Sequence, residues 1–326
     1  MEAHVQRIFP RVPSHSRLRL VREPHVEDFA GLGDAARKAE VVVGVGGGRA
    51  LDAAKVVAHW GRAFHTASEL GALLAAGGRV TADARARMVM APSIASSGSE
   101  SSRGAIITVG AQKMGLRGPS VEPDDVVHDP TLWTSLPTAS RAHFAFDVFA
   151  HFAETTASKR CAVETLAHAR EGMGEFWSWW RDGGRELVSY GAAMRAAFHA
   201  GRCLATSSTC LPHRVQYVLG PATDTTHVEG IWALFPGWFD LLIETSPSAA
   251  GKVAKMLNPT MRPDATEFAR VTLPSVHGLA APSRRIEIAQ EDVFSLSAQV
   301  TGDLAADPAF VGPSSVERLL RSLSHD

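Results

Sequence analysis

Apolar residues along this chain follow two different rhythms. Up to about residue 137, short continuous apolar runs alternate with stretches of helical period; beyond it only the helical period remains. The run Val41-Val-Val-Gly-Val leads into Gly46-Gly-Gly48, the pattern of a buried strand entering a glycine turn. Further strands are predicted over 17–21, 88–91, 105–109 and 125–128, and helices over 26–38, 50–60 and 67–76. From residue 138 on, the pattern predicts helices over 142–156, 163–181, 185–205, 212–219, 230–244, 250–257, 264–273, 290–306 and 314–323. The expected architecture is an α/β parallel-sheet domain over 1–137 followed by an all-α domain over 138–326.

Composition supports packed cores, with 45% hydrophobic residues in a chain of 326. A formal charge of −1 and a pI near 6.9 provide no global attraction to nucleic acid or an anionic membrane, so neither is expected as a partner. No apolar run reaches the roughly 18 residues that span a bilayer, and the N-terminal segment lacks a signal-peptide core. A cytoplasmic location is expected. Cys161, Cys203 and Cys210 show no Cys-x-x-Cys spacing and read as packing residues in a reducing compartment.

Three stretches carry candidate chemistry. The turn Gly46-Gly-Gly48 before a helix can present backbone N–H groups to a phosphate, although the same glycines also describe a plain tight turn. Ser93-Ile-Ala-Ser-Ser-Gly-Ser-Glu100 offers hydroxyls to a phosphate or ribose, or is simply a solvated loop. Asp147 and His151 stand four apart on a predicted helix, so both can reach one ion, or else they are a helix-surface pair.

Taken in order, these segments resemble the iron-containing (group III) alcohol dehydrogenases, relatives of glycerol dehydrogenase and dehydroquinate synthase. Gly46-Gly-Gly-Arg-Ala-Leu-Asp52-Ala-Ala-Lys55 is similar to that family's Gly-Gly-Gly-Ser-x-x-Asp-x-x-Lys element, and Pro92 to Glu100 to its Pro-Thr-Thr-Ala-Gly-Thr-Gly-Ser-Glu loop. Lys113, Asp129-Pro130 and Ser135-Leu-Pro137 also fall in place. Asp147 to Glu154 resembles the Asp-Ala-x-x-His-Ala-x-Glu helix, and His213 and His227 follow at the family's spacing.

The resemblance implies a dehydroquinate synthase-like fold, with a truncated Rossmann-like domain followed by a helical metal-binding domain. It implies Asp147, His151, His213 and His227 as ligands of Fe2+ (or Zn2+). It implies NAD or NADP held by Gly46, Gly47, Gly48, Arg49, Asp52, Lys55, Ser93, Ser97, Gly98, Ser99 and Lys113. The implied activity interconverts an alcohol and an aldehyde or ketone by hydride transfer, in a possible homodimer. A small molecule or a peptide is the expected substrate.

Three departures qualify this picture. The chain before Gly46 is shorter than the family pattern by about one β-α unit, which removes the acidic residue that separates NAD from NADP. Arg49 stands in place of a serine, and Ile94 and Ser96 in place of a threonine and a glycine. Tyr217 occupies the place of a second histidine, four residues after His213; it is the candidate proton-transfer residue, with a packed helix aromatic as the alternative. Two further readings remain. One is oxidative decarboxylation of a β-hydroxy carboxylate, such as a peptide C-terminal threonine in a natural-product pathway, with Arg49, Arg103, Arg117 or Arg214 holding the carboxylate. The other is a non-redox metal enzyme or partner subunit on the same fold. Trp177, Trp179, Trp180, His143, His168 and His199 are expected to be structural.

Overall fold

The computed structural model describes residues 23–81, 84–181, 187–258, 264–282 and 285–324, so the strand predicted over 17–21 lies outside the described residues. The chain forms two compact units, residues 1–94 with 98–135, and residues 95–97 with 136–326.

In the first unit the order is β1 (Val41–Gly46), α1 (Gly48–His59), α2 (Ala67–Ala75), β2 (Arg87–Pro92), β3 (Gly104–Val109), β4 (Gln112–Arg117) and β5 (Asp125–Val126). A parallel sheet of order β1-β2-β5 forms its centre. The sequence places β3 in this sheet, but β3 instead pairs antiparallel with β4. Gly110, at φ +59°, makes the tight connection between them. The reading missed β4, which shows only two apolar residues, Met114 and Leu116, alternating with Lys113, Gly115 and Arg117. The helix predicted over 26–38 is also divided, into a 3-10 turn Val26–Phe29 and a helix Asp34–Lys38, with Gly31 and Gly33 between them.

The entry into α1 depends on glycine. Gly46 has φ +146°, and a Cβ on Gly47 would lie 2.9 Å from Ile94 Cδ1. Behind this turn, α1 is tied to the loop and strand that follow β2 by buried polar groups. Lys55 is fully buried, and its Nζ donates to Ser102 O at 3.0 Å, Ser102 Oγ at 3.1 Å and Gly104 O at 2.7 Å. Asp52 accepts from Ser99 Oγ at 2.5 Å and from Ile106 N at 2.9 Å. Burial lowers the Lys55 ammonium to about 8, with Asp52 and Glu100 pulling it back up.

Burial also pushes the Glu100 carboxyl up to about 7, against its own backbone hydrogen bond and the charge of Lys55. The native state therefore binds this proton more tightly than the unfolded chain does. Unfolding free energy should then fall as pH rises from about 4.5 to about 7. Glu100→Gln is expected to flatten this slope in urea titrations and to gain on the order of 1–3 kcal/mol over wild type at pH 8. An unchanged slope would remove Glu100 from this role.

The second unit is helical: α3 (Thr138–Ala157), α4 (Val163–Arg181), α5 (Leu187–Thr206), α6 (Leu211–Thr223), α7 (His227–Thr245) and α8 (Pro247–Leu257), then shorter elements. The α3 helix is its axis. Phe146, Phe149 and Phe152 on α3 are fully buried, and Phe149 packs on Phe176, Phe235 and Phe268. The helix predicted over 264–273 is a short turn, a π-helical turn Phe268–Thr272 and a helix Leu273–Leu279. The long helix predicted over 290–306 reduces to Asp292–Ser297 and a 3-10 turn, with Gly302 at φ +107° between them. Trp179 is buried, and Trp177 Nε1 donates to Leu257 O. Burial raises the Cys203 thiol to about 12 and holds the Cys210 thiol well above its usual range. Among the described residues no helix is long and apolar enough to cross a membrane.

Candidate metal centre

Asp147 and His151 lie one turn apart on α3, where the helix is buried on every side. His213 enters from the first turn of α6. His227 is the first residue of α7, a start fixed by a capping box between Thr226 and Glu229. These starts bring three imidazoles around one carboxylate oxygen. Asp147 Oδ1 lies 3.4 Å from His213 Nε2, 3.7 Å from His227 Nε2 and 3.8 Å from His151 Nε2.

Donor atoms bound at about 2.1 Å to a common ion stand about 3.4 Å apart in a tetrahedron. The spacing here therefore suits a shared cation. Asp147 is fully buried, His151 and His213 nearly so, and His227 is half-buried. Asp147 Oδ1 and His213 Nε2 are sealed from water without a hydrogen-bond partner, which is costly unless something else binds them. The donor set thus fits a divalent metal. One carboxylate and three imidazoles do not separate Fe2+ from Zn2+.

The outer atoms of three of the ligands, His213, His227 and Asp147, are held in turn. His213 Nδ1 donates to Glu154 Oε1 at 2.6 Å, and Glu154 Oε2 accepts from Cys210 N at 2.7 Å. His227 Nδ1 donates to Gln216 Oε1 at 2.7 Å. Both rings therefore direct Nε2 toward Asp147. Glu154 stands in the α3 motif and Gln216 lies three residues after His213, yet neither was singled out from sequence as a site residue. The Gln216 side chain passes where Cβ atoms of Gly220 and Gly230 would lie, at 2.7 and 2.6 Å, so those two glycines make room for it.

Electrostatics agree with this arrangement. Burial alone would raise the Asp147 carboxyl, but His151, His213 and His227 outweigh it and hold the group well below the usual carboxylate range. Burial lowers His151 to about 4 and so keeps it neutral. Burial also pulls on His213, but the charge of Glu154, the hydrogen bond to it and the nearby charge of Asp147 lift it to about 9. Two buried carboxylates here call for positive charge, which a cation supplies.

Ser96, where the resembled family has glycine, donates through Oγ to Asp147 Oδ2 at 2.9 Å. This bond fixes the carboxylate with Oδ1 turned toward the histidines. Ser96→Ala is expected to weaken metal binding roughly ten- to a hundredfold, the usual cost of losing a hydrogen bond that holds a ligand carboxylate. Competition with a chelating dye measures this, and unchanged affinity would make Ser96 a mere filler. Tyr217 stacks on His227 at 24° with centroids 6.2 Å apart.

The residues expected at the cofactor lie within the first unit, apart from Ser97, which belongs to the second. Gly46 O accepts from Ser93 N at 2.8 Å, joining the glycine turn to the serine loop. Gly47 is the N-cap of α1, which has no side-chain cap and no acidic residue in its first turn, so the N–H groups around Gly48 suit an anion. Gly98 turns at φ +64°. The polar atoms of Asp52, Ser99 and Lys55 meet one another's loops instead, and these residues fasten the turn from behind. Arg49 Nε and Lys113 Nζ share Glu23 Oε1, at 3.0 and 3.7 Å.

Comparison with known proteins gives the same direction. The family model for iron-containing alcohol dehydrogenases matches residues 14–130. A phosphonoacetaldehyde reductase of Streptomyces viridochromogenes is 28% identical over 189 residues, 56% of this chain and 48% of that protein. A 1-propanol dehydrogenase of Citrobacter freundii is 27% identical over 188 residues, 56% of this chain and 46% of that protein. The chain spans about half the length of the curated relatives it matches. The alcohol dehydrogenase from Oenococcus oeni has the same fold, with a TM-score of 0.80 over 93% of this chain and 82% of that one, at 18% identity.

Proposed function

We propose that this chain, a member of the iron-containing alcohol dehydrogenase family by its match over residues 14–130, is a metal-dependent oxidoreductase that interconverts an alcohol with an aldehyde or ketone, using NAD or NADP. The observation that carries this reading is the gathering of His151, His213 and His227 around Asp147 Oδ1, with the outer atoms of Asp147, His213 and His227 tied back. The relatives' names point the same way, since one reduces an aldehyde and the other acts on 1-propanol.

A divalent ion held there supplies Lewis acidity to an alcohol or carbonyl oxygen. The chain's own residues do the rest. Glu154 and Gln216 hold His213 and His227 in one orientation, and Ser96 does the same for Asp147. Gly46, Gly47 and Gly48 keep the start of α1 open to a pyrophosphate, and Asp52 and Lys55 brace it. Tyr217, beside His227, is our assignment for passing a proton at the substrate oxygen.

Three of the four arginines considered for a substrate carboxylate have other engagements. Arg103 Nε pairs with Glu122 at 2.6 Å, Arg49 with Glu23, and Arg214 Nη2 donates to Ser208 Oγ. No observation thus favours the decarboxylating reading over simple alcohol oxidation. The test is fluorescence titration of the metal-loaded protein with NADH and NADPH, followed by nicotinamide absorbance with short-chain aldehydes. Binding of one nucleotide and its aldehyde-dependent oxidation are expected. Absence of binding by either at millimolar concentration would contradict the assignment.

A further inference from the structure

Away from Asp147, α4 and α5 bring a second pair of imidazoles together. His168 and Glu171 stand three residues apart on α4 and so share a face, while His199 meets them from α5. His168 Nδ1 lies 3.2 Å from His199 Nδ1, with ring centroids 5.4 Å apart at 43°. Glu171 Oε2 lies 3.7 Å from the same His199 Nδ1. The three donor atoms fall within 4.8 Å of one another.

Helix packing enforces this closeness. A Cβ on Gly172 would lie 2.7 Å from His199 Cβ and 2.2 Å from Phe152 Cζ. A glycine directly after Glu171 therefore allows α5 to approach α4 at the level of His199.

We infer that His168, Glu171 and His199 form a second, exchangeable site for a divalent cation of the Zn2+, Co2+ or Ni2+ type. Two nitrogens bound at about 2.1 Å to one ion stand about 3.0 Å apart at a right angle and about 3.4 Å apart in a tetrahedron, and the observed 3.2 Å lies between these values. Two imidazoles with one carboxylate select such ions over Mg2+ and Ca2+, which prefer all-oxygen shells. Burial, the leading influence, holds His199 below the ordinary histidine range. The nearby arginines are matched to carboxylates, Arg195 to Glu175 and Arg202 to Glu164, which limits their repulsion of a cation. Glu171 is 67% exposed, and His168 and His199 are 24% and 17% exposed. Water completes the coordination, and the ion exchanges with solvent. Its effect is to pin α4 to α5 and to stabilise the helical unit by mass action.

Calorimetric titration of the chelator-treated full-length protein with Zn2+, repeated with Co2+, tests this. Two equivalents are expected in wild type. The weaker should disappear in His199→Ala and weaken roughly tenfold in Glu171→Gln. Glu171→Gln alters a mostly exposed side chain, so its reading does not depend on the half-buried His199 tolerating substitution. Asp147→Ala should retain only the weaker equivalent, and Zn2+ should still raise its Tm. This separates failure of the second site from failure of the first. One equivalent in wild type, or two undiminished equivalents in both His199→Ala and Glu171→Gln, would overturn the assignment.

Discussion

Asp147→Ala and His213→Ala are each expected to bind metal at the buried centre at least roughly a hundredfold more weakly than wild type, and to lose turnover with it. The estimate starts from second-shell residues, whose loss commonly costs 10–100-fold in affinity, and first-shell ligands cost more. Asp147 supplies the one carboxylate facing the three imidazoles, so its removal leaves a neutral donor set. His213→Ala acts differently: it strips Glu154 of its partner and leaves that buried carboxylate bonded to Cys210 N alone. Elemental analysis of protein purified in parallel reads both effects. Glu154→Gln should fall between them and wild type, because a glutamine oxygen still accepts from His213 Nδ1 without the charge.

Lys55→Met should cost about 3–5 kcal/mol of unfolding free energy. The loss is not that of a surface ion pair. Lys55 Nζ is sealed inside the first unit, where it serves two backbone carbonyls and a hydroxyl and neutralises Asp52 and Glu100. A methionine fills the space but leaves those carbonyls unmet and the carboxylates uncompensated. Urea titration gives the value. A loss below about 1 kcal/mol would mean that water or a neighbour takes over the three bonds.

Much of this was legible in the sequence. The apolar run at Val41 and the glycines after it announced β1 and the start of α1, because a buried parallel strand and a close helix approach each leave a compositional mark. The helices of the second unit up to Leu257 were readable from their period, with ends displaced by a few residues, whereas the long helix read over 290–306 reduces to Asp292–Ser297 and a 3-10 turn. The β4 strand was not, since its stabilising partner is β3 rather than its own pattern. The division of 264–279 at a π-helical turn also left no mark that a 3.6 period can show.

At the candidate site the four ligands were implied by the resemblance to the family, while the residues that aim them were not singled out. Glu154 and Gln216 become interpretable only once α3, α6 and α7 are packed. Asp52 and Lys55 show the converse. The resemblance to the family implied cofactor contacts for them, and their polar atoms fasten the glycine turn to the loop behind it. His168 and His199 were expected to be structural, because residues 31 apart have no spacing that foretells a contact across two helices.

The most direct measurement of the central claim is X-ray absorption on the metal-loaded protein, since it counts the imidazoles at the buried centre. His199→Ala is used as the background so that the second site stays empty. An inner shell of nitrogen and oxygen at about 2.0–2.2 Å with outer-shell scattering from three imidazoles is expected for wild-type ligands, falling to two in His151→Ala. A shell with no more than one imidazole, or one unchanged by His151→Ala, would contradict the four-residue centre.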